Sequence, residues 1–394
     1  MMEHTPAPHG RLAFLPISFF SVVMGLSGLT IAWEKAQHVF HRDLGINIGM
    51  LAVTVSVFAL LFLLYVSKAW RYPQNVAQEL AHPVKLSFFP TISISLLLIA
   101  TALYGVNAEL ALPVWVAGTL LHLVFTLYVI NKWMHHEHFQ IQHINPAWFI
   151  PAVGNVLVPV AGIPLGFVEV SWFFFSIGMF FWLILMTLVF NRMMFHQAID
   201  AFLLPTLFIL IAPPAVGFIA YMRLENELDA FARVLYFFGL FLTLLLFSQF
   251  GRFVKLKFGL PWWAYSFPLA AITIASFIMY EQSQAAAYLW IASGLLAVLT
   301  VLVWGAFAFG NVPGLQVLVV QQAERHTPNA VDVASGLNIA AFNVGIALGS
   351  VVGGLVVEHL GLMHTPWIGA LIVLLAYGLT HVSERREARL ALAL

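Results

Sequence analysis

Long apolar runs separated by short polar segments follow one another along almost the whole chain. About 20 consecutive apolar residues are enough for a helix to cross the hydrocarbon core of a bilayer. The pattern predicts twelve such spans, the last two weaker than the rest, over residues 12–33, 44–66, 86–104, 111–130, 148–167, 170–190, 200–222, 231–250, 261–279, 286–308, 336–357 and 366–381. We therefore expect an all-α polytopic membrane protein.

Proline recurs in every odd-numbered span among the first ten, whereas spans two, six, eight and ten have no interior proline. These prolines are Pro16 in FLPIS, Pro90 in FFPTIS, Pro151 in FIPAVGN, Pro205 in LLPTLF, Pro213 later in the same span, and Pro268 in SFPLAA. Proline removes an N–H and its ring clashes with the carbonyl four residues back. Proline is also common in membrane helices generally, but chance does not easily select the odd spans.

This alternation predicts an architecture. A helix with freed carbonyls is tolerated in a membrane where protein or a water-filled cavity surrounds it, whereas an unbroken helix can face lipid. We expect five helical hairpins, or ten transmembrane helices, within residues 1–308. The odd helices would form an inner ring, kinked at the prolines, around a central pore, and the remaining residues 309–394 would add a C-terminal helical hairpin.

Composition supports the membrane assignment and excludes several kinds of chemistry. Of the 394 residues, 61% are hydrophobic and 9% are charged, against about 25% charged in soluble domains. The chain has no cysteine, which excludes disulfides, thiol chemistry and cysteine-based metal sites. A pI near 7.3 argues against a nucleic-acid partner. The opening MMEHTPAPHG does not have the pattern of a cleaved signal peptide.

Lysine and arginine are distributed unevenly between the two sides of the predicted spans. Thirteen fall on one side, and only Lys35, Arg42, Arg223 and Arg233 fall on the other. Because cytoplasmic loops carry the excess of positive charge, we expect both termini in the cytoplasm, most simply across a bacterial inner membrane.

Charged residues such as Glu34, Lys68 and Glu281 lie at the ends of the ten main spans, and His122 is the main titratable group at depth. We interpret His122 as a histidine hydrogen-bonded between helices. A pore without an acidic ring does not attract cations, whereas helix dipoles and polar groups can attract anions. The candidates after the prolines are Ser18, Thr91, Ser93, Asn155, Thr206 and Thr273; the alternative is that each is a packing or capping group.

Three segments resemble one known family. PWWAYSFPLAAITIAS resembles the ninth helix of the tellurite-resistance/dicarboxylate transporter family, which includes bacterial TehA and the plant guard-cell slow anion channels. HPVKLSFFPTISISLLLIA and NPAWFIPAVGNVLVPVAG resemble its third and fifth helices. The resemblance covers roughly residues 10–305. It implies five hairpins around a pore, usually one pore per subunit of a homotrimer, in agreement with the proline pattern.

The resemblance also implies a function. Members are passive channels for small monovalent anions, and some relatives move dicarboxylates, sulfite or tellurite. An aromatic ring of the ninth helix blocks the pore in this family, and the matching residue here is Phe267. Without the resemblance, Phe267 would be taken for an ordinary core residue.

The end of the chain departs from that family. The segment GNVPGLQVLVVQQAERHTPNAVDVASGLNIAAFNVGIALGSVVGGLVVEHLG resembles the penultimate helix region of major-facilitator sugar or drug efflux permeases. Gly345, Gly349 and Gly353 recur every four residues, which gives a smooth helix face for close packing, here against the outer helices of the first ten. We interpret the chain as a fusion and expect no transport by the tail itself.

No enzyme active site, metal site or cofactor is predicted. The segment WMHHEHFQIQH supplies His135, His136, Glu137, His138 and His143, but its spacing fits no known zinc pattern, and we interpret it as a solvated loop.

Three functions remain open: an anion channel, a proton-coupled efflux transporter, and a non-transporting remnant of a fusion. Twelve spans is the major-facilitator number. However, the loop after span two, SKAWRYPQNVAQELAHP, lacks the glycine-rich signature that such transporters carry there.

Overall fold

A computed structural model describes residues 10–135, 139–310, 312–361 and 364–391. In that part of the chain all regular secondary structure is helical, which confirms the all-α prediction. The chain divides into two compact units, Met1–Ala308 and Phe309–Leu394.

The first unit contains thirteen α-helices, connected in part by 3₁₀ segments. They are α1 (Phe20–Val39), α2 (Ile46–Arg71), α3 (Pro73–Ala81), α4 (Thr91–Tyr104), α5 (Ala108–His135), α6 (Phe149–Val153), α7 (Val158–Gly162), α8 (Val168–Phe195), α9 (Ala212–Leu224), α10 (Ala230–Phe247), α11 (Phe250–Phe253), α12 (Ser266–Ser283) and α13 (Ala286–Phe309). The second unit contains α14 (Val312–His326), α15 (Val331–His359) and α16 (Thr365–Ala391).

Ten helices among the described residues are long and apolar enough to cross a membrane. Nine lie in the first unit, and the tenth, Pro328–His359, lies in the second. The fifth and twelfth predicted spans are shorter apolar helices, Pro146–Gly162 and Trp367–Val382. The fifth is interrupted because Pro151, Gly154 and Pro159 fall within it, so that α6 and α7 are separated by a 3₁₀ segment, Gly154–Leu157.

Buried and exposed helices alternate along the first unit. Between 61% and 83% of the most apolar stretch is buried in the long helices of the first, third, seventh and ninth spans, against 22% to 39% in the second, fourth, sixth, eighth and tenth. In ring order, α1 contacts α4, α4 contacts α7, α7 contacts α9, α9 contacts α12, and α12 returns to α1. These are the inner helices. The exposed helices α2, α5, α8 and α10 pack outside them, and α13 is joined to α1 by a 3.2 Å hydrogen bond from Trp33 to Thr300.

Each inner helix begins with a 3₁₀ segment, and its prolines lie at or near the start of a helical segment rather than at an interior kink. Pro16 and Pro90 are N-caps, Pro205 and Pro213 are second residues, and Pro151 and Pro268 are third residues. The first N–H groups of a helix have no partner within it, so proline costs little there. Pro113 belongs to the outer helix α5 instead, and it lies inside that helix because the helix begins three residues earlier than predicted.

A buried ion pair anchors the first hairpin. Lys68 Nζ lies 3.0 Å from Glu79 Oε2 and donates to the Leu15 carbonyl at 2.8 Å. Tyr65 donates its hydroxyl to the same Glu79 oxygen at 2.7 Å. Lys68 is 1% exposed. The pair therefore connects α2, α3 and the segment that leads into α1.

Two side-chain hydrogen bonds join α14 to α15 in the second unit. Gln316 of α14 donates to Ser335 at 2.5 Å and accepts from Asn338 at 2.6 Å, both of α15. A Cβ added at Gly345, Gly349 or Gly353 would meet no described atom of this unit within 4 Å. The glycine face is therefore not used for packing inside the unit, and its packing against the outer helices stays a prediction.

Candidate functional site

A small apolar cavity lies at the end of the ring where the inner α-helices begin; we call it the N-side cavity. It has a volume of about 80 Å³, and its wall includes Thr91, Ile150, Ala212 and Trp263. No charged side chain is found among the described residues of this wall. The described wall of this cavity therefore carries no fixed charge.

A second cavity lies at the other end of the same ring; we call it the C-side cavity. Its volume is about 360 Å³. Its wall includes the ionisable side chains Glu34, Lys35, His38 and Arg223 together with the hydroxyl of Tyr104. The two cavities therefore differ both in volume and in the charge of their walls.

Three apolar residues line both cavities: Leu157, Val216 and Phe267. We call them the central constriction. Leu157 is 5% and Val216 is 3% exposed, whereas the Phe267 ring is half-buried. They come from the 3₁₀ segment between α6 and α7, from α9 and from α12. The largest side chain between the two cavities is thus that of Phe267.

The position of Phe267 depends on its neighbours. Phe267 is the second residue of α12, directly before Pro268. A Cβ on Gly28 of α1 would lie 2.8 Å from the Ala270 Cβ and 3.3 Å from the Phe267 Cδ2. Glycine at position 28 therefore lets α1 and α12 approach closely where the ring lies.

The polar groups near the prolines have a shared role that the sequence does not show. In each inner helix one of them donates to a carbonyl three residues earlier: Ser21 to Ser18, Thr91 to Phe88, Asn155 to Ala152, Thr206 to Leu203 and Ser266 to Trp263. Carbonyls near helix breaks need such partners because lipid supplies none. These hydrogen bonds fit the capping alternative, and a role of the same side chains in an anion path stays a prediction.

The remaining predicted positions are placed as follows. Thr91 lines the N-side cavity, as do Pro213 and Pro268. Thr273 donates its hydroxyl to the Leu269 carbonyl at 2.6 Å, and Ser18 is half-buried in the first 3₁₀ turns. Pro16, Pro90, Pro151 and Pro205 mark the beginnings of helical segments.

His122 belongs to a polar network behind the pore wall. Its Nδ1 lies 2.9 Å from the Ser93 hydroxyl, and the histidine is fully buried. A Cβ at Gly154 would come within 2.9 Å of its Nε2. Nearby, Thr126 donates to the Pro151 carbonyl at 2.8 Å and accepts from Asn155 Nδ2 at 3.1 Å. The network fastens outer helix α5 to the interrupted fifth span.

Charged residues at the C-side cavity are functional candidates that the sequence placed only at span ends. Lys35 Nζ lies 2.5 Å from Glu281 Oε2, and His38 Nδ1 lies 3.2 Å from Glu281 Oε1. Glu34 packs its carboxylate against Gly105, where an added Cβ would clash with it. Helix α1 therefore carries three ionisable side chains into one cavity wall.

The segment after Arg223 is fixed by its own hydrogen bonds. Asp229, the N-cap of α10, accepts from the Ala232 N–H at 2.8 Å and from the Tyr221 hydroxyl at 2.6 Å. These hydrogen bonds lower the pKa of the Asp229 carboxyl. Tyr221 lies two residues before Arg223 on α9. Its hydrogen bond to Asp229 therefore holds the end of α9 in place.

Three residues of the histidine-rich loop, His136, Glu137 and His138, lie outside the described residues. His143 accepts at Nδ1 from the Gln140 N–H, and the His135 ring lies 3.0 Å from the Asn131 carbonyl. Among the described residues, no three His, Asp or Glu side chains are arranged as a metal site.

Comparison with known proteins bears on this ring of helices. Residues 15–312 match the family described as SLAC1, voltage-dependent anion channel. The S-type anion channel SLAH3 of Arabidopsis thaliana is 27% identical over 268 residues, which make up 66% of this chain and 42% of the plant protein. The tellurite resistance protein TehA homolog of Haemophilus influenzae is 26% identical over 270 residues, 68% of this chain and 82% of that protein. The chain spans about half the length of the plant relatives SLAH3 and SLAH2.

A protein of another transporter class matches a smaller part of this chain. The uncharacterized MFS-type transporter YtbD of Bacillus subtilis is 48% identical over 126 residues, which are 31% of each chain. The matches confirm the first resemblance seen in the sequence, and the partial match to YtbD fits the interpretation as a fusion.

Proposed function

The chain belongs to the SLAC1 family of voltage-dependent anion channels, and we propose that it is a passive channel for small monovalent anions, gated by Phe267. The observation that carries this proposal is the pair of cavities that meet at the central constriction inside the ring. An apolar constriction is a recognised way to close a pore. Rotation of the Phe267 side chain out of the constriction would join the two cavities into one path.

The charges and dipoles around the constriction favour an anion over a cation as the permeant ion. The described part of the N-side wall offers no carboxylate, and cation channels use rings of Asp or Glu. The inner helices also begin at the N-side end, where the positive ends of their dipoles lie. Both features favour a negative ion.

We expect selectivity to follow the ease of dehydration. Because the N-side cavity is apolar and small, an anion must lose most of its water there without a fixed charge to replace it. In planar bilayers with purified protein, nitrate and iodide should permeate at least as well as chloride, and fluoride least. Reversal potentials measured under bi-ionic conditions test this. Potentials that favour cations, or fluoride over iodide, would contradict the proposal.

We propose that the second unit contributes no transport path of its own, since the match to YtbD covers only 31% of that transporter. The proposal also includes a homotrimer with one pore per subunit, and both termini in the cytoplasm of a bacterial cell with the channel in its inner membrane. The major-facilitator alternative would require a substrate flux that depends on a proton gradient.

Removal of the second unit tests this division. A chain that ends at residue 308 keeps the whole ring of inner helices, so it should fold and conduct anions with the single-channel current of the full chain. Native mass measurements should find a trimer for both chains. A monomeric full chain that becomes trimeric on truncation would show instead that residues 309–394 cover the surface between subunits. A truncated chain that folds but does not conduct would show that the tail belongs to the pore.

A further inference from the structure

The walls of the two cavities differ in charge. All ionisable side chains in the described cavity walls lie on the C-side: Glu34, Lys35 and His38 from α1, and Arg223 from α9. The N-side wall shows none among its described residues. An anion on its way through the constriction therefore meets fixed charges on one side only.

Lys35 is not free to hold an anion, because its charge is already balanced. Its ammonium group lies 2.5 Å from Glu281 Oε2, and His38 approaches the other oxygen of the same carboxylate at 3.2 Å. Lys35 and Glu281 are 23% and 29% exposed. This pair connects α1 to α12 at the mouth and leaves little net field from Lys35 itself.

Arg223 is in a different situation. Its side chain is exposed and lines the cavity. Within the described part of the chain, none of the ion pairs closer than 4.0 Å involves Arg223 or Glu34. Glu225 and Glu227 follow it in the chain but are exposed and outside the described wall of the cavity. The carboxylate of Asp229 is occupied by Ala232 and Tyr221.

Glu34 contributes the opposite charge from the same wall. Its carboxylate is held against Gly105 and is attracted by the charge of Arg223, but none of the ion pairs closer than 4.0 Å among the described residues joins the two side chains. Both side chains line the same cavity. A single negative charge at Arg223 compensates the guanidinium. A second negative charge on the same ion would be repelled by Glu34.

We propose that Arg223 recruits anions into the C-side cavity and that Glu34 makes the cavity prefer monovalent over divalent anions. This inference rests on the proposed anion channel and names the residues that determine its charge selectivity. Arginine suits the role because its guanidinium is always charged and presents several donors to an anion.

The test compares charge variants in planar bilayers at two salt concentrations. At low salt, Arg223→Gln should reduce the chloride current about threefold or more, since a focused charge raises the local ion concentration by a factor of 10 or more. At about 1 M salt the difference should nearly vanish, because the Debye length falls to about 3 Å. Arg223→Lys should restore most of the low-salt current, which a purely structural role would not predict.

Arg233→Gln is the matched control. Arg233 is an exposed arginine in the first turn of outer helix α10, at the same end of the unit as Arg223, and its removal should leave the current unchanged. In a second arm, Glu34→Gln should raise the ratio of sulfate to chloride permeability, measured from reversal potentials.

The outcomes separate this inference from the proposed function. Equal currents for Arg223→Gln, Arg233→Gln and the unaltered chain at low salt would overturn the role of Arg223. An unchanged sulfate to chloride ratio in Glu34→Gln would overturn the role of Glu34. Absence of any anion current both in the unaltered chain and in well-folded Phe267→Ala would instead overturn the proposed channel.

Discussion

Phe267→Ala should raise the anion current per channel several-fold or more. The phenyl ring is the largest side chain of the central constriction, and without it the N-side and C-side cavities, of about 80 and 360 Å³, would be joined. Single-channel recordings in planar bilayers measure the effect directly. Buried Phe→Ala changes typically cost about 3–5 kcal/mol, and the half-buried Phe267 should cost less, so the current must be related to the amount of folded protein.

Phe277→Ala provides the matched control. Phe277 is a fully buried phenylalanine of the same helix, where it packs edge-to-face against Phe40 away from the constriction. This variant should be destabilised at least as much as Phe267→Ala yet remain closed. If well-folded Phe267→Ala conducts no better than the unaltered chain, Phe267 is a packing residue and not the gate.

Lys68→Met should lower the free energy of unfolding by about 3–5 kcal/mol, the usual effect of removing one partner from a buried ion pair. The substitution leaves the Glu79 carboxylate buried with only the Tyr65 hydroxyl as its described partner, and it also removes the donor to the Leu15 carbonyl. Unfolding of detergent-solubilised protein, followed by heat or by denaturant, measures the loss.

Two further variants show whether the charge is responsible. Arg71→Met removes an exposed cation one turn further along the same helix and should change stability by less than about 0.5 kcal/mol. Lys68→Met combined with Glu79→Gln should recover part of the loss, because no charge is then left unpaired. Equal stability of Lys68→Met and Arg71→Met would show that the pair contributes nothing.

The arrangement of the inner helices could be predicted from the sequence because the effect of proline on a helix comes from its own backbone. Proline lacks an N–H, and its ring clashes with the preceding turn at any position. Pro16, Pro90, Pro151, Pro205 and Pro268 each mark an inner helix, whatever surrounds them. Their placement near the start of a helical segment was not predictable in the same way. The start of a helix depends on the 3₁₀ turn before it, and apolar runs continue through that turn without a change in composition.

The roles of individual polar side chains were harder to predict from the sequence than the arrangement of the helices. Thr206 and Asn155 were candidates for an anion path, but each donates to a carbonyl three residues earlier, which depends on a side-chain rotamer. Conversely, Glu34 and Arg223 stood at the ends of spans in the sequence. Glu34 and Arg223 lie in the wall of one cavity because α1 and α9 belong to the same ring of inner helices.

The apolar character of Leu157, Val216 and Phe267 has a consequence for water as well as for ions. Side chains that offer no hydrogen bonds allow a narrow gap between them to dry spontaneously, and a dry gap stops ions even when it is wide enough for them. In the proposed channel, drying of this gap would help to keep the pore closed. We then expect wetting of the gap to depend on voltage, because an electric field that draws water into it would open the path without moving any helix.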